Sequence, residues 1–282
     1  MANDYTVYIV TPPNYPHVLA FAELANALVH GLQELGYAAA LTQNPAEIEG
    51  RAIVVAPHLI PHVGWHPPAD AILYNLEQGD DGNDWFSPAY WALLRGHEVW
   101  DYSQNNADYL RARGVPARLL PVGYAPCLTR IAATEAEDVD VLAYGAMTPR
   151  RIAILEALHK RGLKVVPLFN VYGPERDAYI ARAKLVLNIH AQAARLFEIV
   201  RVSYLLANGR CVLSEDGNDP GLEAPYREAV TFAPYDRLIG AALNLLAAPD
   251  ARRARGQAGL AAITSRRQSA LLEPLVGRKA DR

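Results

Sequence analysis

Blocks of apolar and polar residues follow one another along this chain in a regular order. Short continuous apolar runs, such as residues 52–56 and 71–76, are typical of parallel strands that are buried on both faces. Other segments have the apolar spacing of an amphipathic helix, and the first of these, residues 17–35, ends at Gly36. Strands that alternate with helices in this way predict βαβ units and parallel sheets, and therefore an α/β fold.

The alternation occurs twice, with a break in the middle. Residues 124–138 contain Pro126 and an acidic run that includes Glu135, but no periodicity, and this predicts a linker. The chain has 282 residues, which exceeds the usual size of one core and agrees with two domains. Two such halves predict Rossmann-like domains whose parallel sheets face each other across a cleft. The expected segments besides the linker are an N-terminal domain (1–123), a C-terminal domain (139–250) and a helical tail (251–282).

Composition narrows the class of protein. The chain is 51% hydrophobic and 20% charged, as in globular proteins, and its net charge of −3 gives no broad basic surface for nucleic acid. Cys127 and Cys211 lack metal-ligand spacing and indicate no disulfide framework, so we expect a reducing, cytoplasmic compartment. No transmembrane segment is predicted. The basic tail indicates a solvated helix face, with peripheral contact to an anionic membrane as the alternative. Its arginines include Arg252, Arg253, Arg255, Arg266 and Arg267.

Polar residues collect where the strands of the second half end. Residues 184–215 have the pattern of a buried strand, a polar turn, an amphipathic helix that stops at Asn-Gly, and a second buried strand. The carboxyl ends of parallel strands form the ligand-binding edge of a sheet, and a helix that begins there offers free N–H groups to an anion. This segment therefore predicts part of a site for a phosphate-bearing ligand. Its candidate residues are Asn188, His190, Phe197, Glu198, Arg201 and Glu215.

A second phosphate-binding candidate, YGAMTPRR, follows the first strand of this half. Gly145 lets an anion approach closely, Thr148 can cap the next helix, and Pro149 suits its first position. Arg150 and Arg151 lie in the first helical turn, where positive charge opposes the helix dipole unless an anion is bound. The alternative is an ordinary capped helix with surface arginines.

The aromatic–glycine turn at residues 169–173 follows the next predicted strand. Tyr172 and Gly173 place a ring face and accessible backbone at the same sheet edge, which suits a nucleobase. The alternative is a turn with an exposed tyrosine.

In the first half, the turn TPPN follows the first strand without a glycine-rich fingerprint, which disfavours a dinucleotide site there. The cleft-edge candidates of this half are Asn14, Tyr15, His17, His58, Asn75, Glu77 and Asp101. Among them, His17 and Glu77 are the candidates for a general base. Trp65, Trp85 and Trp91 flank the region and suit either sugar stacking or core packing.

No metal site is predicted. His58, His62 and His66 are spaced four residues apart, but prolines interrupt the helix that would align them. The Asp-Val-Asp sequence at residues 138–140 precedes its strand and so lies at the wrong edge for a metal-bound diphosphate.

With these motifs the chain resembles glycosyltransferases of the GT-B fold. YGAMTPRR resembles the diphosphate-contacting loop of their donor domain, and LNIH…RLFEIVRVSYLLANGRCVLSE resembles their donor-site strand–helix–strand segment. The resemblance implies two Rossmann-like domains facing across a nucleotide-sugar cleft, with the acceptor against the N-terminal domain. It also implies a metal-independent reaction in which Arg150, Arg151 and Arg201 stabilise the departing diphosphate.

The chain differs from this family in one respect. Retaining members often carry two glutamates separated by seven residues. Here Tyr204 stands at the second position and Leu196 near the first, while Glu198 is offset. This difference favours a protein that kept the fold and lost the chemistry.

The resemblance thus predicts a GT-B glycosyltransferase that needs no cofactor. It would move a sugar from a nucleoside-diphosphate sugar, such as a UDP-sugar, to a hydroxyl of a small-molecule or glycan acceptor. The predicted catalytic residues are His17 and Glu77 beside the acceptor, and Glu198. Two other interpretations stay open: a non-catalytic nucleotide or nucleotide-sugar-binding protein, and an NAD-dependent or flavodoxin-like protein, which the missing glycine fingerprint disfavours.

Overall fold

The computed structural model describes residues 3–132, 134 and 136–279. Glu135 of the predicted acidic run and the last three residues of the predicted tail lie outside this described part. The chain forms two compact units. The N-terminal unit comprises the described residues of Met1–Cys127 and Arg266–Arg282, and the C-terminal unit is Leu128–Ser265. The predicted tail is therefore divided between the two units.

The N-terminal unit contains one six-stranded sheet. In chain order its first elements are β1 (Tyr5–Ile9), α1 (Ala22–Glu34), β2 (Ala39–Thr42), β3 (Arg51–Val55), β4 (Ile72–Asn75), α2 (Pro88–Gly96), β5 (Glu98–Asp101), α3 (Gln104–Arg111) and β6 (Ala117–Leu119). All strand pairs are parallel, in the order β2-β1-β3-β4-β5-β6. The strand order thus reverses at β1, which makes the β1–β3 boundary the switch point where α/β sheets bind ligands.

The strands of this sheet form where the sequence has continuous apolar runs. Every residue of β1 and β4 is buried, and only Arg51 of β3 is partly exposed. The prediction of parallel strands covered on both faces is therefore confirmed for these runs. Ser87 and Ser103 cap α2 and α3, because their side chains accept from the backbone N–H groups of Tyr90 and Asn106.

The C-terminal unit repeats this architecture with five parallel strands. Its elements are β7 (Val139–Tyr144), α4 (Pro149–His159), β8 (Val165–Leu168), α5 (Gly173–Arg182), β9 (Ala183–Asn188), α6 (Ile199–Ala207), β10 (Val212–Glu215), α7 (Pro220–Glu223), β11 (Thr231–Ala233), α8 (Leu238–Ala247) and α9 (Pro249–Thr264). The strand order is β11-β10-β9-β7-β8, so the switch point lies between β7 and β9. Val141, Leu185 and Leu213 lie in the core between this sheet and its helices.

The last helix, α10 (Gln268–Val276), belongs to the N-terminal unit and packs on α1. The amide of Gly123 donates to the Gln268 side chain at 2.8 Å, and Arg267 pairs with Glu34 at 2.5 Å. The tail arginines have separate internal contacts. Arg252, for example, is buried and donates to the carbonyls of residues 245 and 246.

Three helical segments differ from the sequence prediction. The predicted helix at 17–35 begins with a 3₁₀ turn, Pro16–Phe21, before α1. Pro57–His62 is also 3₁₀-helical, because prolines exclude an α-helix there but allow a tight turn. Helix α2 was not predicted, although Ser87-Pro88 is a usual cap and first-position pair.

Candidate functional site

The candidate site of the C-terminal unit lies at the carboxyl edge of its sheet, beside the switch point. The loops after β7, β9 and β10 supply it, and these three strands are neighbours in the sheet. Asn188 ends β9 in direct register with Ser214 of β10. Side chains that are far apart in sequence therefore meet at one edge.

Asn188 and Glu198 connect the end of β9 to the start of α6. Asn188 Nδ2 donates to Glu198 Oε2 at 2.7 Å and to Ser214 Oγ at 3.0 Å. Its Oδ1 accepts from Arg201 Nη1 at 3.0 Å. The amide side chain is thus oriented by both neighbours, and it holds the Arg201 guanidinium in place.

His190 is fully buried between two carboxylates. Its Nδ1 lies 3.1 Å from Glu198 Oε2, and its backbone N–H donates to Glu215 Oε2 at 3.1 Å. Burial opposes the charged imidazole, but Glu198, followed by Glu215, outweighs it and raises the pKa of His190. Burial would also raise the pKa of Glu198, yet His190, Arg201 and Asn188 together lower it to about 2. Each group therefore favours the charged form of the other.

Arg151 and Arg201 approach each other beside Gly145. Arg151 is buried and donates to the carbonyls of Ile189 and Ala146, each at 2.8 Å. Its Nη2 lies 3.7 Å from Glu198 Oε1. Burial and then the Arg201 charge lower the pKa of Arg151 to about 10, which still leaves it cationic at neutral pH. Two cations with one nearby carboxylate give this edge an excess of positive charge.

Gly145 is needed for this approach. It adopts φ +108°, and a Cβ atom there would lie 2.7 Å from Arg201 Nη2 and 3.4 Å from Arg151 Nη1. The Arg201 guanidinium also lies 5.4 Å from the ring centre of Tyr144. Thr148 caps α4 as predicted, since its Oγ accepts from the Arg151 N–H at 3.4 Å.

Arg150 makes different contacts from Arg151, the next residue in the chain. Its guanidinium donates to both oxygens of Glu215, at 2.6 and 3.2 Å, and to the His190 carbonyl at 3.2 Å. It also lies over the Tyr235 ring, 4.3 Å from the centroid, while the Tyr235 hydroxyl donates to the Arg150 carbonyl at 2.8 Å. Glu215 neutralises this arginine, so Arg151 and Arg201 carry most of the uncompensated charge.

The remaining predicted residues of this half lie outside the charged cluster. Phe197 is fully buried against Tyr226 and Phe232, so its side chain packs in the core, which corrects the predicted ligand contact. Tyr172 precedes α5 and is partly exposed. Gly173 adopts φ +58° with open space around it. This turn after β8 therefore keeps accessible backbone, as the nucleobase interpretation requires.

Ser214 and Tyr235 are contacts of the site that sequence reasoning missed, and Tyr144 was included in the YGAMTPRR motif without a role of its own. The pairing of Ser214 with Asn188 depends on strand register, which the sequence pattern does not specify. Tyr144 immediately precedes Gly145, and its position at a strand end was an available signal. Tyr235 reaches Arg150 from a segment 85 residues away, and no local pattern points to it.

In the N-terminal unit, Asn75 is the centre of a buried polar network at the ends of β4 and β5. Its Nδ2 donates to Asp101 Oδ2 at 2.6 Å and to the Glu77 carbonyl at 2.9 Å. Its Oδ1 accepts from the Tyr90 hydroxyl at 2.8 Å. Asn106 donates to the same Glu77 carbonyl at 2.9 Å. The network therefore fixes the backbone of Glu77.

Asn75 and Asp101 themselves have no exposed surface. Burial raises the pKa of Asp101 to about 7, against the opposing hydrogen bonds from Asn75 and the Ser103 backbone. Side chains without exposure do not contact a ligand directly, so their predicted acceptor-side contact is corrected to support of Glu77 from behind.

Glu77 lies beside His58 and an aromatic wall. Its Oε1 is 3.4 Å from His58 Nε2, and the His58 ring is 4.7 Å from that of Trp85. Burial, and then the His62 charge, lower the pKa of His58 to about 3, so this ring is neutral. Burial, and then the Glu77 charge, raise the pKa of Tyr15, whose ring lies 5.0 Å from that of His17.

The structure thus gathers His17, Tyr15, His58 and Glu77 at one edge of the N-terminal sheet. Asn14 precedes them in the loop after β1, where it is exposed and adopts φ +59°. Asparagine tolerates this left-handed conformation better than most residues.

Two general findings concern the part of the chain that the structure describes. It contains no group of three or more His, Cys, Asp or Glu side chains placed to hold a metal ion. It also contains no helix that is both long and apolar enough to span a membrane.

Comparison with known proteins gives a family match over part of the chain. Residues 132–270 match the family model described as glycosyl transferase-like. Among curated proteins, the chain is 27% identical over 172 residues to the uncharacterised protein L140 of Acanthamoeba polyphaga mimivirus, over 56% of this chain and 55% of L140. It is also 34% identical over 106 residues to protein L138 of the same virus, covering 36% of this chain and 12% of L138. The chain thus spans about half or less of the curated relatives it matches.

Solved structures share the fold. The sucrose-phosphate synthase of Thermosynechococcus elongatus is 13% identical with a TM-score of 0.62, covering 96% of this chain and 97% of that one. Anabaena HepE, solved with UDP-glucose, is 10% identical with a TM-score of 0.62, covering 96% and 99%. AviGT4, a glycosyltransferase of avilamycin A biosynthesis, is 18% identical with a TM-score of 0.55, covering 97% and 96%.

The family match and the fold agree with each other. Residues 132–270, just under half of the chain, match the glycosyl transferase-like family model, and the two parallel-sheet units share the fold of solved GT-B glycosyltransferases. The resemblance predicted from the sequence is confirmed.

Proposed function

We propose that this protein transfers a sugar from a nucleoside-diphosphate sugar to an acceptor hydroxyl, without a metal ion. One observation carries the proposal: Arg151 and Arg201 come together beside Gly145 at the switch point of the C-terminal sheet. Two adjacent cations with little compensating charge repel each other, and an anion between them removes that cost. A diphosphate is the anion that such an edge of an α/β sheet suits.

The arginines would act on the leaving group. As the glycosidic bond to the diphosphate breaks, negative charge grows on the departing oxygens, and preorganised cations lower the energy of that transition state. Glu198 and Asn188 hold Arg201 in place, and the carbonyls around Arg151 fix its guanidinium. In this scheme Glu198 is a positioning residue. The sequence-based assignment of Glu77 or His17 as the acceptor base remains part of the proposal.

We propose UDP as the nucleotide. Structures of Anabaena HepE contain UDP or UDP-glucose, and a TarM complex contains UDP. In this chain the partly exposed Tyr172 and the open Gly173 follow β8, next to β7 in the sheet, where a base attached to a bound diphosphate can reach. Because Cys127 and Cys211 are both free thiols, we propose a reducing, cytoplasmic location.

Arg201→Gln tests the donor site. A charge-assisted hydrogen bond contributes about 1.5–3 kcal/mol, so the variant should bind UDP roughly 10- to 150-fold more weakly in calorimetry. Arg253→Gln is the matched control, because Arg253 is an exposed arginine of α9 that pairs with Asp250. It should bind UDP like the unmodified protein. Unchanged affinity in Arg201→Gln would show that the diphosphate lies elsewhere.

A non-catalytic nucleotide-sugar-binding protein is the second candidate. Tyr204, which stands where the family's second glutamate is expected, is buried and donates to Asp177 at 2.7 Å. Arg130 also donates to the Tyr204 hydroxyl, at 2.9 Å. The Tyr204 side chain is therefore held by contacts with Asp177 and Arg130. Incubation with UDP-glucose separates the candidates: release of UDP, with or without EDTA, supports the metal-independent transferase, whereas thermal stabilisation without UDP release supports the binding protein.

A further inference from the structure

The N-terminal unit presents a sheet edge whose loops are rich in acidic and aromatic residues. Residues 10–21, 56–66 and 76–87 follow the adjacent strands β1, β3 and β4 at the carboxyl end of the sheet. These three loops contain no lysine or arginine, but they contain four carboxylates. The acidic residues are Glu77, Asp80, Asp81 and Asp84.

The histidine in contact with Glu77 does not supply positive charge there. His58, which touches Glu77, is neutral because burial lowers its pKa to about 3. Arg113 reaches the loops from beyond α3, but it pairs with Asp81 at 2.7 Å and lies over the Tyr109 ring. The Glu77 carboxylate therefore has an acidic and aromatic setting.

The same edge carries aromatic surface. The Trp85 ring is partly exposed and lies against both His58, at 4.7 Å between ring centres, and His62, at 6.1 Å. The Tyr15–His17 ring pair also lies near Glu77, since burial and then the Glu77 charge raise the pKa of Tyr15. Aromatic faces bind the C–H faces of sugar rings, while a fixed carboxylate accepts hydroxyl hydrogen bonds.

We propose that this edge binds an uncharged saccharide as the acceptor and excludes phosphorylated or carboxylated sugars. The proposal rests on the transferase function and names its acceptor class. A pyranose ring stacks on Trp85, and one of its hydroxyls donates to the carboxylate of Glu77, whose backbone carbonyl is held by Asn75 and Asn106. A phosphate group on the sugar would approach loops that carry four carboxylates and no lysine or arginine of their own, and only Asp81 among these carboxylates is paired with Arg113. Repulsion between like charges weakens binding of such a sugar, and it is stronger near the protein than in water.

The test is a set of matched acceptors with the full chain and saturating UDP-glucose. Methyl glycosides of glucose, galactose, mannose and N-acetylglucosamine are compared with their 6-phosphates, and methyl glucoside with methyl glucuronide. We expect at least one neutral glycoside to accept glucose at least tenfold more efficiently than its charged counterpart. Equal or better use of the charged sugars would overturn the proposal.

Two variants test the roles of charge and of aromatic stacking in acceptor use, and a third variant controls for a general loss of folding. Asp84→Lys places a cation beside Trp85 on an exposed loop and should reduce the discrimination against 6-phosphates several-fold. Trp85→Ala should weaken neutral acceptor use at least tenfold. Trp91→Ala, in the tryptophan of α2 that packs on Phe86, is the matched control and should not. Unchanged selectivity in Asp84→Lys together with unchanged acceptor use in Trp85→Ala would overturn the assignment.

The outcomes also separate this proposal from the one on which it rests. If UDP binds and UDP-glucose is hydrolysed, but no glycoside is used, the donor site stands and the saccharide assignment is wrong. If UDP and UDP-glucose do not bind, the transferase function itself is wrong, and the acceptor proposal falls with it.

Discussion

At the scale of single residues, Gly145 sets the distance between the loop after β7 and two guanidinium groups. Its φ of +108° is costly for other residues, and a Cβ would overlap Arg201 Nη2. Gly145→Ala should therefore lose about 1 kcal/mol of stability from the backbone alone. It should also weaken UDP binding about tenfold, because Arg201 must move away from its bond with Asn188. Urea unfolding and calorimetry measure the two effects.

Gly162 offers a control with the same backbone penalty. It adopts φ +84° in the turn after α4, and nothing lies within 4 Å of the position of an added Cβ. Gly162→Ala should lose similar stability and keep its affinity for UDP. Equal losses of UDP affinity in both variants would mean that Gly145 acts only through backbone strain and not through the arginines.

At the scale of elements, the His190–Glu198 pair joins the end of β9 to the start of α6, and its charge depends on pH. The pKa of His190 is raised in the folded state, so its stabilising contribution is fully present below about pH 6.5. That contribution is lost as the pH rises through the raised value. The pKa of Glu198 is lowered to about 2, so this group stays ionised throughout the range above pH 5.

We therefore expect His190→Gln to be destabilised most at pH 5.5–6.5, with the difference from the unmodified protein shrinking towards pH 9. Free energies of unfolding from urea titrations across this range measure it. His159→Gln, at the exposed end of α4, should show a small difference with little pH dependence. A His190→Gln deficit that is constant with pH would show that His190 acts through packing alone.

The same elements show what the sequence can predict about the site. Asn188, His190 and Glu215 were predicted to meet because polar residues at the ends of buried strands share one sheet edge, and the structure brings them together. Phe197 was misassigned because its neighbours Tyr226 and Phe232 come from distant segments that cover it. The opposite roles of Arg150 and Arg151 also could not be predicted. One faces Glu215 and the other faces backbone carbonyls, and this depends on where β9 and β10 place their ends.

At the scale of the whole molecule, alternating periodicity was enough to predict two parallel α/β sheets, because strands buried on both faces need continuous apolar runs. The path of the tail could not be predicted in this way. Helix α9 remains with the C-terminal unit, whereas α10 packs on α1, more than 230 residues earlier in the chain. Helical spacing gives the buried face of α10 but not the helix against which that face packs.

A substitution of Leu272 in α10 tests whether this helix stabilises only the N-terminal unit. The Leu272 side chain is fully buried, and a Cβ at Gly31 of α1 would lie 2.8 Å from Leu272 Cδ1, so α10 and α1 are in close contact. Leu272→Ala should lose about 2–5 kcal/mol, as for other large-to-small changes in cores. Hydrogen exchange should rise in α1 and α10 and stay unchanged in α4 and α6, and UDP affinity should be kept. Leu243→Ala, on the exposed side of α8, should change stability by less than about 0.5 kcal/mol. If exchange instead rose equally in α4 and α6, the units would unfold together, and the tail would stabilise the donor site as well as the N-terminal core.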